Sequence, residues 1–176
     1  PIADLMGGGS RTPRAIASSV GARTATETRA VIDRYRARGY VAHSVKIGGD
    51  VARDIARIRD MEDIRQPGEI VLYDVNRGWT RQQALQVMRA TEDLSVMFEQ
   101  PCETLDDIAS IAGKHASPVS VDETLVTLQD AAQIARLAGR ITDTLPLAPD
   151  AESSVEIDPN EIDDARLDAL SDAGMT

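Results

Sequence analysis

Four stretches decide the reading: His43-Ser44-Val45-Lys46-Ile47-Gly48, Leu72-Tyr73-Asp74-Val75-Asn76, Met97-Phe98-Glu99-Gln100-Pro101 and Val119-Ser120-Val121-Asp122-Glu123-Thr124. Each is a short apolar run of strand-like length that closes on a polar residue just before the chain turns. The closing residues Lys46, Asp74, Glu99 and Glu123 follow one another at intervals of 28, 25 and 24 positions. Such an interval holds one strand, one helix and two short loops. Parallel neighbouring strands would therefore bring all four side chains to one edge of a sheet. Three carboxylates gathered there repel one another, which a divalent cation relieves. An ammonium group beside that cation is placed for proton transfer.

Working outward, the same rhythm extends over most of the chain. Residues 15–20 read as a first strand and 24–38 as a helix, with Thr26 and Glu27 in its first turn, Ala30, Val31 and Tyr35 on its apolar face and Gly39 as its stop. Residues 41–47 form strand two. Asp50 caps the next helix, whose apolar stripe is Val51, Ile55 and Ile58. Pro67-Gly68 turns the chain into strand three at 69–73, and Thr80 caps a helix with Ala84, Leu85 and Met88 inward. Strand four at 95–98, a helix at 104–114, strand five at 119–121 and a helix at 125–137, closed by Gly139, complete the series. Five strand–helix units in succession imply a parallel sheet with right-handed crossovers. Strands covered on both faces also explain the near-continuous apolar runs.

Composition sets the outer limits. A chain of 176 residues suits one domain with a real core. No apolar run approaches the roughly 18 residues of a membrane span, and no signal peptide is visible. The single cysteine, Cys102, cannot form an internal disulfide, which fits a reducing, cytoplasmic compartment. The net charge of −10 argues against nucleic acid as a partner, and no membrane partner is expected. That charge is concentrated: residues 143–176 hold ten acids against Arg166 alone. We therefore expect a barrel-type unit over 1–140 and an acidic, largely disordered tail over 141–176. Residues 150–161 place acids at several positions of a calcium loop, but Val155 stands where the sharp turn demands glycine, so a solvated tail is the expectation. Gly7-Gly8-Gly9 reads as a flexible turn, since it lacks the Lys-Ser/Thr that follows a phosphate loop. The chain begins at Pro1 without an initiator methionine, consistent with processing or with a piece of something longer.

Two architectures fit five units: a complete doubly wound sheet, or five-eighths of a (β/α)8 barrel. In an open sheet the ends of strands three and five lie ~10 Å apart and twist away from each other. In a barrel they converge, so a site shared by strands two to five favours the partial barrel. A hard cation such as Mg²⁺ takes oxygen ligands and keeps room for substrate, which suits Asp74, Glu99 and Glu123. His43 and His115 match no zinc spacing, and alternation along strand two turns His43 away from Lys46, so we expect it to pack rather than react. Lys46 beside such a metal fits proton abstraction α to a carboxylate, with the cation stabilising an enediolate.

These motifs resemble the barrel domain of the enolase superfamily in its mandelate racemase/muconate lactonizing branch. Pro1-Ile2-Ala3-Asp4-Leu5-Met6-Gly7-Gly8 looks like the join from capping domain to barrel. Ser44-Val45-Lys46 stands where the family has Lys-x-Lys, and Asp74-Val75-Asn76, Glu99-Gln100-Pro101 and Asp122-Glu123 match its three ligand strands. The resemblance implies Mg²⁺ ligation by Asp74, Glu99 and Glu123, general base catalysis by Lys46, and substrate contacts from Ser44 and Asn76. Ser44 in place of the first lysine is similar to members that dehydrate cis-3-hydroxyproline. The implied activity is dehydration of a small hydroxy acid or hydroxyproline. The alternatives are a racemase, epimerase or cycloisomerase of the same superfamily, a truncated non-catalytic fragment, or an open-sheet binding domain. The family's capping domain and strands six to eight have no counterpart here, so a homo-oligomer or a barrel-completing partner is expected alongside the small carboxylate substrate.

Overall fold

The computed structural model describes residues 16–21, 24–124 and 130. Its elements alternate strictly: β1 (Ala17–Val20), α1 (Ala25–Arg36), β2 (Ala42–Lys46), α2 (Val51–Ile64), β3 (Ile70–Asp74), α3 (Arg81–Ala90), β4 (Met97–Glu99), α4 (Leu105–Ile111) and β5 (Val119–Ser120). Local chemistry starts each helix. Thr24 and Thr80 form capping boxes with Glu27 and Gln83, while Asp50 and Thr104 accept from the backbone N–H three residues on. Each cap satisfies a donor that the first turn leaves open, a contribution of about 1 kcal/mol.

The strands are all parallel and lie in the order β1-β2-β3-β4-β5. That order settles the architecture. A doubly wound sheet reverses direction at a switch point and carries helices on both faces. Here every right-handed crossover steps the same way, so the helices fall on one face, and each packs on the next: α1 on α2, α2 on α3, α3 on α4. The result is an arc of a (β/α)8 barrel.

Alternation along the strands divides two layers. Val20, Val45, Tyr73, Phe98 and Val119 share one register line and face the helices, where the first four are buried with Ile32, Ile58, Met61, Val87 and Met88. The opposite, inner face is more open, with Leu72 and Ser44 half-buried and Ile70 58% exposed. The expected inner faces of α2 and α3 hold, although Val51, Ile55 and Leu85 are only partly buried. In α1 the expectation needs correction. Ala30 is exposed, and Thr28 and Ile32 are the buried pair, because the longer Ile32 at the four-residue spacing takes the helix face that reaches the core. The expected helix at 125–137 and the expected tail lie outside the described residues.

Candidate active site at the carboxyl edge of the sheet

The register line one step beyond the core places Lys46 beside Asp74 and Asp74 beside Glu99, with Ser120 next in line. Three of the four expected side chains therefore share an edge. The Lys46 ammonium donates to Asp74 Oδ2, and Asp74 Oδ1 accepts the Asn76 backbone N–H at 3.0 Å. Asp74 and Glu99 are buried, whereas the Lys46 side chain stays 37% exposed and open to a substrate. Ser44 sits one alternation below Lys46 on the same face, in register with Leu72.

Glu123 is not at a strand end. β5 stops at Ser120, and Glu123 lies three residues beyond, on the loop. It returns to the edge through other chains of contact. Asn76 Nδ2 donates to Glu123 Oε1 at 2.9 Å, and Arg77 Nη2 donates to the Glu123 backbone carbonyl. As placed, no group of three or more His, Cys, Asp or Glu among the described residues is drawn together tightly enough to hold a metal ion. The donor set nonetheless fits a hard cation. All three groups are carboxylates, two are buried cross-strand neighbours, and Glu123 Oε2 is buried without a hydrogen-bond partner among the described residues.

The loops bearing these groups are pinned. The parallel ladder continues past the strands, with Ile47 N donating to Asp74 O, Val75 N to Glu99 O, Arg77 N to Gln100 O and Gln100 N to Ser120 O. It closes at a bridge between Trp79 and Cys102. Asp54 Oδ2 accepts from Gly48 N, Gly49 N and Trp79 Nε1, which ties the loop after β2 to the loop after β3. Gly48, at φ +106°, is required there, because a Cβ would stand 2.4 Å from Val75 O. Three non-glycine residues, Asn76, Arg77 and Gln100, also adopt positive φ, all of them beside the site.

Residues away from this edge do other work. His43 is buried on the helix side, where it shares a 2.7 Å hydrogen bond with Ser18 Oγ, and burial lowers its pKa. Burial likewise pushes the Cys102 thiol up to about 11, so it stays protonated at neutral pH. The sequence reading missed Asp54, Trp79, Arg77 and a role for Gln100. Only Gln100, inside the quoted Glu99-Gln100-Pro101 motif, carried any local signal. No helix among the described residues is long and apolar enough to cross a membrane.

Comparison with known proteins agrees with this geometry. The Enolase C-terminal domain-like family matches residues 27–140. The chain belongs to that family, in the mandelate racemase/muconate lactonizing branch of the enolase superfamily. A cis-3-hydroxy-L-proline dehydratase of Roseibium aggregatum is 32% identical over 125 residues, 71% of this chain and 34% of that protein. A solved mandelate racemase/muconate lactonizing enzyme-type structure from Silicibacter pomeroyi is 69% identical with a TM-score of 0.81, covering 99% of this chain and 46% of that one. An enolase-superfamily structure from Roseovarius nubinhibens ISM, complexed with magnesium, is 33% identical with a TM-score of 0.78 and covers 99% of this chain and 45% of that one. Other relatives include a muconate cycloisomerase and an L-Lys-D/L-Arg epimerase. Separately, 49 residues, 28% of this chain, are 57% identical to an oxygen-independent coproporphyrinogen III oxidase of Paracoccus denitrificans, covering 11% of that protein. The chain spans about a third of the curated dehydratase and just under half of these solved structures.

Proposed function

We propose that this edge removes the proton α to the carboxylate of a small hydroxy acid or hydroxyproline, leading to loss of water. The observation that carries the reading is the Lys46 ammonium on Asp74, with Glu99 in the adjacent register. Asp74, Glu99 and Glu123 would hold Mg²⁺, whose positive charge stabilises the enediolate. Lys46 as free amine takes the α-proton, and the C–H electron pair moves into the carboxylate. When those electrons return to form the new C=C bond, the β-hydroxyl leaves. The Lys46 ammonium returns its proton to that hydroxyl, so the net loss is one water and one group serves twice. Ser44 and Asn76 contact the substrate.

Racemisation and epimerisation need a second acid/base on the opposite substrate face. Elimination needs Lys46 alone, and the similarity to a cis-3-hydroxy-L-proline dehydratase supports it. The inner face around Ile70 and Leu72 is open among the described residues, and a homo-oligomer or a barrel-completing partner would cover it. Monomeric elution on size exclusion would count against that part.

The first test is a thermal melt with and without millimolar Mg²⁺ on the wild type and on Glu99→Gln. A ligand at about a hundred times its Kd stabilises by about 2.7 kcal/mol, several degrees for a domain of this size. The expected result is a Mg²⁺-dependent rise in the wild type that Glu99→Gln abolishes. A wild-type midpoint indifferent to Mg²⁺ sinks the metal assignment.

A further inference from the structure

The three non-glycine residues at positive φ among the described residues, Asn76 (47°), Arg77 (65°) and Gln100 (40°), have a common partner. Each is bonded to the 122–124 loop. Asn76 and Arg77 hold Glu123 itself, through its side chain and its carbonyl. Gln100 holds the residues on either side of it. Its Oε1 accepts from the Asp122 backbone N–H at 2.9 Å and from Thr124 Oγ1 at 3.1 Å, while its Nε2 donates to the Cys102 carbonyl at 3.0 Å. Its main chain is engaged as well, with N donating to Ser120 O and O accepting from Arg77 N.

We propose that Gln100 is the positioning residue that fixes Glu123 at the site; this rests on the reading of Glu123 as a ligand. The side chain is fully buried, so each of its bonds is made in a setting where an unmade one is costly. The left-handed backbone takes residue 100 out of the alternation of β4, and the amide then spans sideways to the loop after β5. That loop needs such an anchor because β5 is only two residues long and ends before Glu123. The amide is also the right group. It accepts twice and donates once here, whereas a carboxylate could not donate to the Cys102 carbonyl and would add an anion between Glu99 and Glu123. Gln100 touches neither substrate nor metal in this arrangement; it acts through Glu123.

The test uses the full chain with Gln100→Met, Thr124→Val, Glu123→Gln and the double variant Gln100→Met/Glu123→Gln. Two readouts are needed. Amide hydrogen exchange at Asp122 reports the anchor without any metal, and Mn²⁺ titration followed by electron paramagnetic resonance reports the site. We expect Asp122 exchange in Gln100→Met to rise about tenfold, as loss of a buried bond of this kind implies, while amides of α2 and α3 keep their protection. Mn²⁺ affinity should fall about tenfold, and the double variant should bind no more weakly than Glu123→Gln alone. Unchanged Asp122 exchange, or additive losses in the double variant, overturns the proposal. If Gln100→Met does not fold, Thr124→Val decides on the same exchange readout with about a threefold rise expected, and no rise overturns it. A wild type that takes no Mn²⁺ sinks the metal reading, and the Asp122 exchange alone then decides the case of Gln100.

Discussion

Glu69, just before β3, and Glu123, just after β5, stand at opposite ends of one sheet and differ in how far their oxygens are occupied. Glu69 is closed. Arg36 grips both its oxygens, at 2.6 and 2.8 Å, the Gln66 backbone N–H adds a third bond, and His43 Nε2 lies 3.5 Å away. The Arg36 hydrogen bonds hold the Glu69 carboxyl at about 2, against the opposing pull of burial. Glu123 shares one oxygen with Asn76 and keeps the other buried without a partner among the described residues. A saturated pair can only stabilise the fold; an open valence can take a ligand. In a barrel that division is expected, since the amino ends of the strands serve stability and the carboxyl ends serve chemistry.

Variants at each end should separate these roles, and the largest effect belongs to the carboxyl edge. Lys46→Met should slow α-proton exchange of a hydroxy acid in D₂O by about 10³-fold, the scale of a lost general base. Its urea midpoint should move less than that of Arg36→Met, because solvent reaches the half-open position of Lys46 and the Asp74 it leaves keeps the Asn76 backbone N–H. Arg36→Met should do the reverse at the amino end. It strands a buried carboxylate, costing about 3 kcal/mol of stability, visible in urea unfolding, while Mn²⁺ binding by the folded fraction stays unchanged. A stable Arg36→Met, or a Lys46→Met that unfolds, would erase the distinction.

Acid unfolding sharpens the comparison further. The folded Glu69 carboxyl titrates at about 2 against an ordinary value of 4.5. The unfolded chain therefore binds more protons as pH falls, so the stability Glu69 contributes is intact above about 4.5 and lost progressively toward 2. Glu69→Gln should lower stability at pH 7 and flatten this limb of the curve. A limb of unchanged steepness in the variant would assign acid sensitivity to other groups.

Much of this organisation was legible because it is periodic. Near-constant intervals between apolar runs gave the strand count, and the strand period put Lys46, Asp74 and Glu99 on one register line. What escaped was whatever depends on contacts across sequence. Glu123 looked like a strand end because Val119-Ser120-Val121 is apolar enough to continue, but pairing with β4 ends at Ser120. Asp54 reads as an ordinary helix-surface acid, and only the fold brings it to Trp79, 25 residues away. The Gln100 anchor depends on a left-handed backbone and on partners 22 and 24 residues on, neither of which leaves a local pattern. Ala30 was misplaced for a related reason: a helical stripe drawn by hydrophobicity alone ignores which side chains are long enough to reach the sheet.

The smallest effect expected is at His43, and it tests whether the amino end is closed to protons as well as to ligands. Burial holds the imidazole neutral and lowers its pKa, opposed by the nearby Glu69 carboxylate. Arg36 on the same carboxylate disfavours a second cation, and Ser18 Oγ engages the ring at Nδ1. The unfolded chain takes up a proton at His43 as pH falls through its ordinary value of 6.5, while the folded chain resists. Stability from this group is therefore present above 6.5 and declines below it, before the Glu69 limb begins. His43→Gln should remove that shallow decline below about pH 6.5 and leave the steeper acid limb in place. Were the decline to survive the substitution, the protons would be entering at a group other than His43, and the amino end would not be the source of this part of the curve.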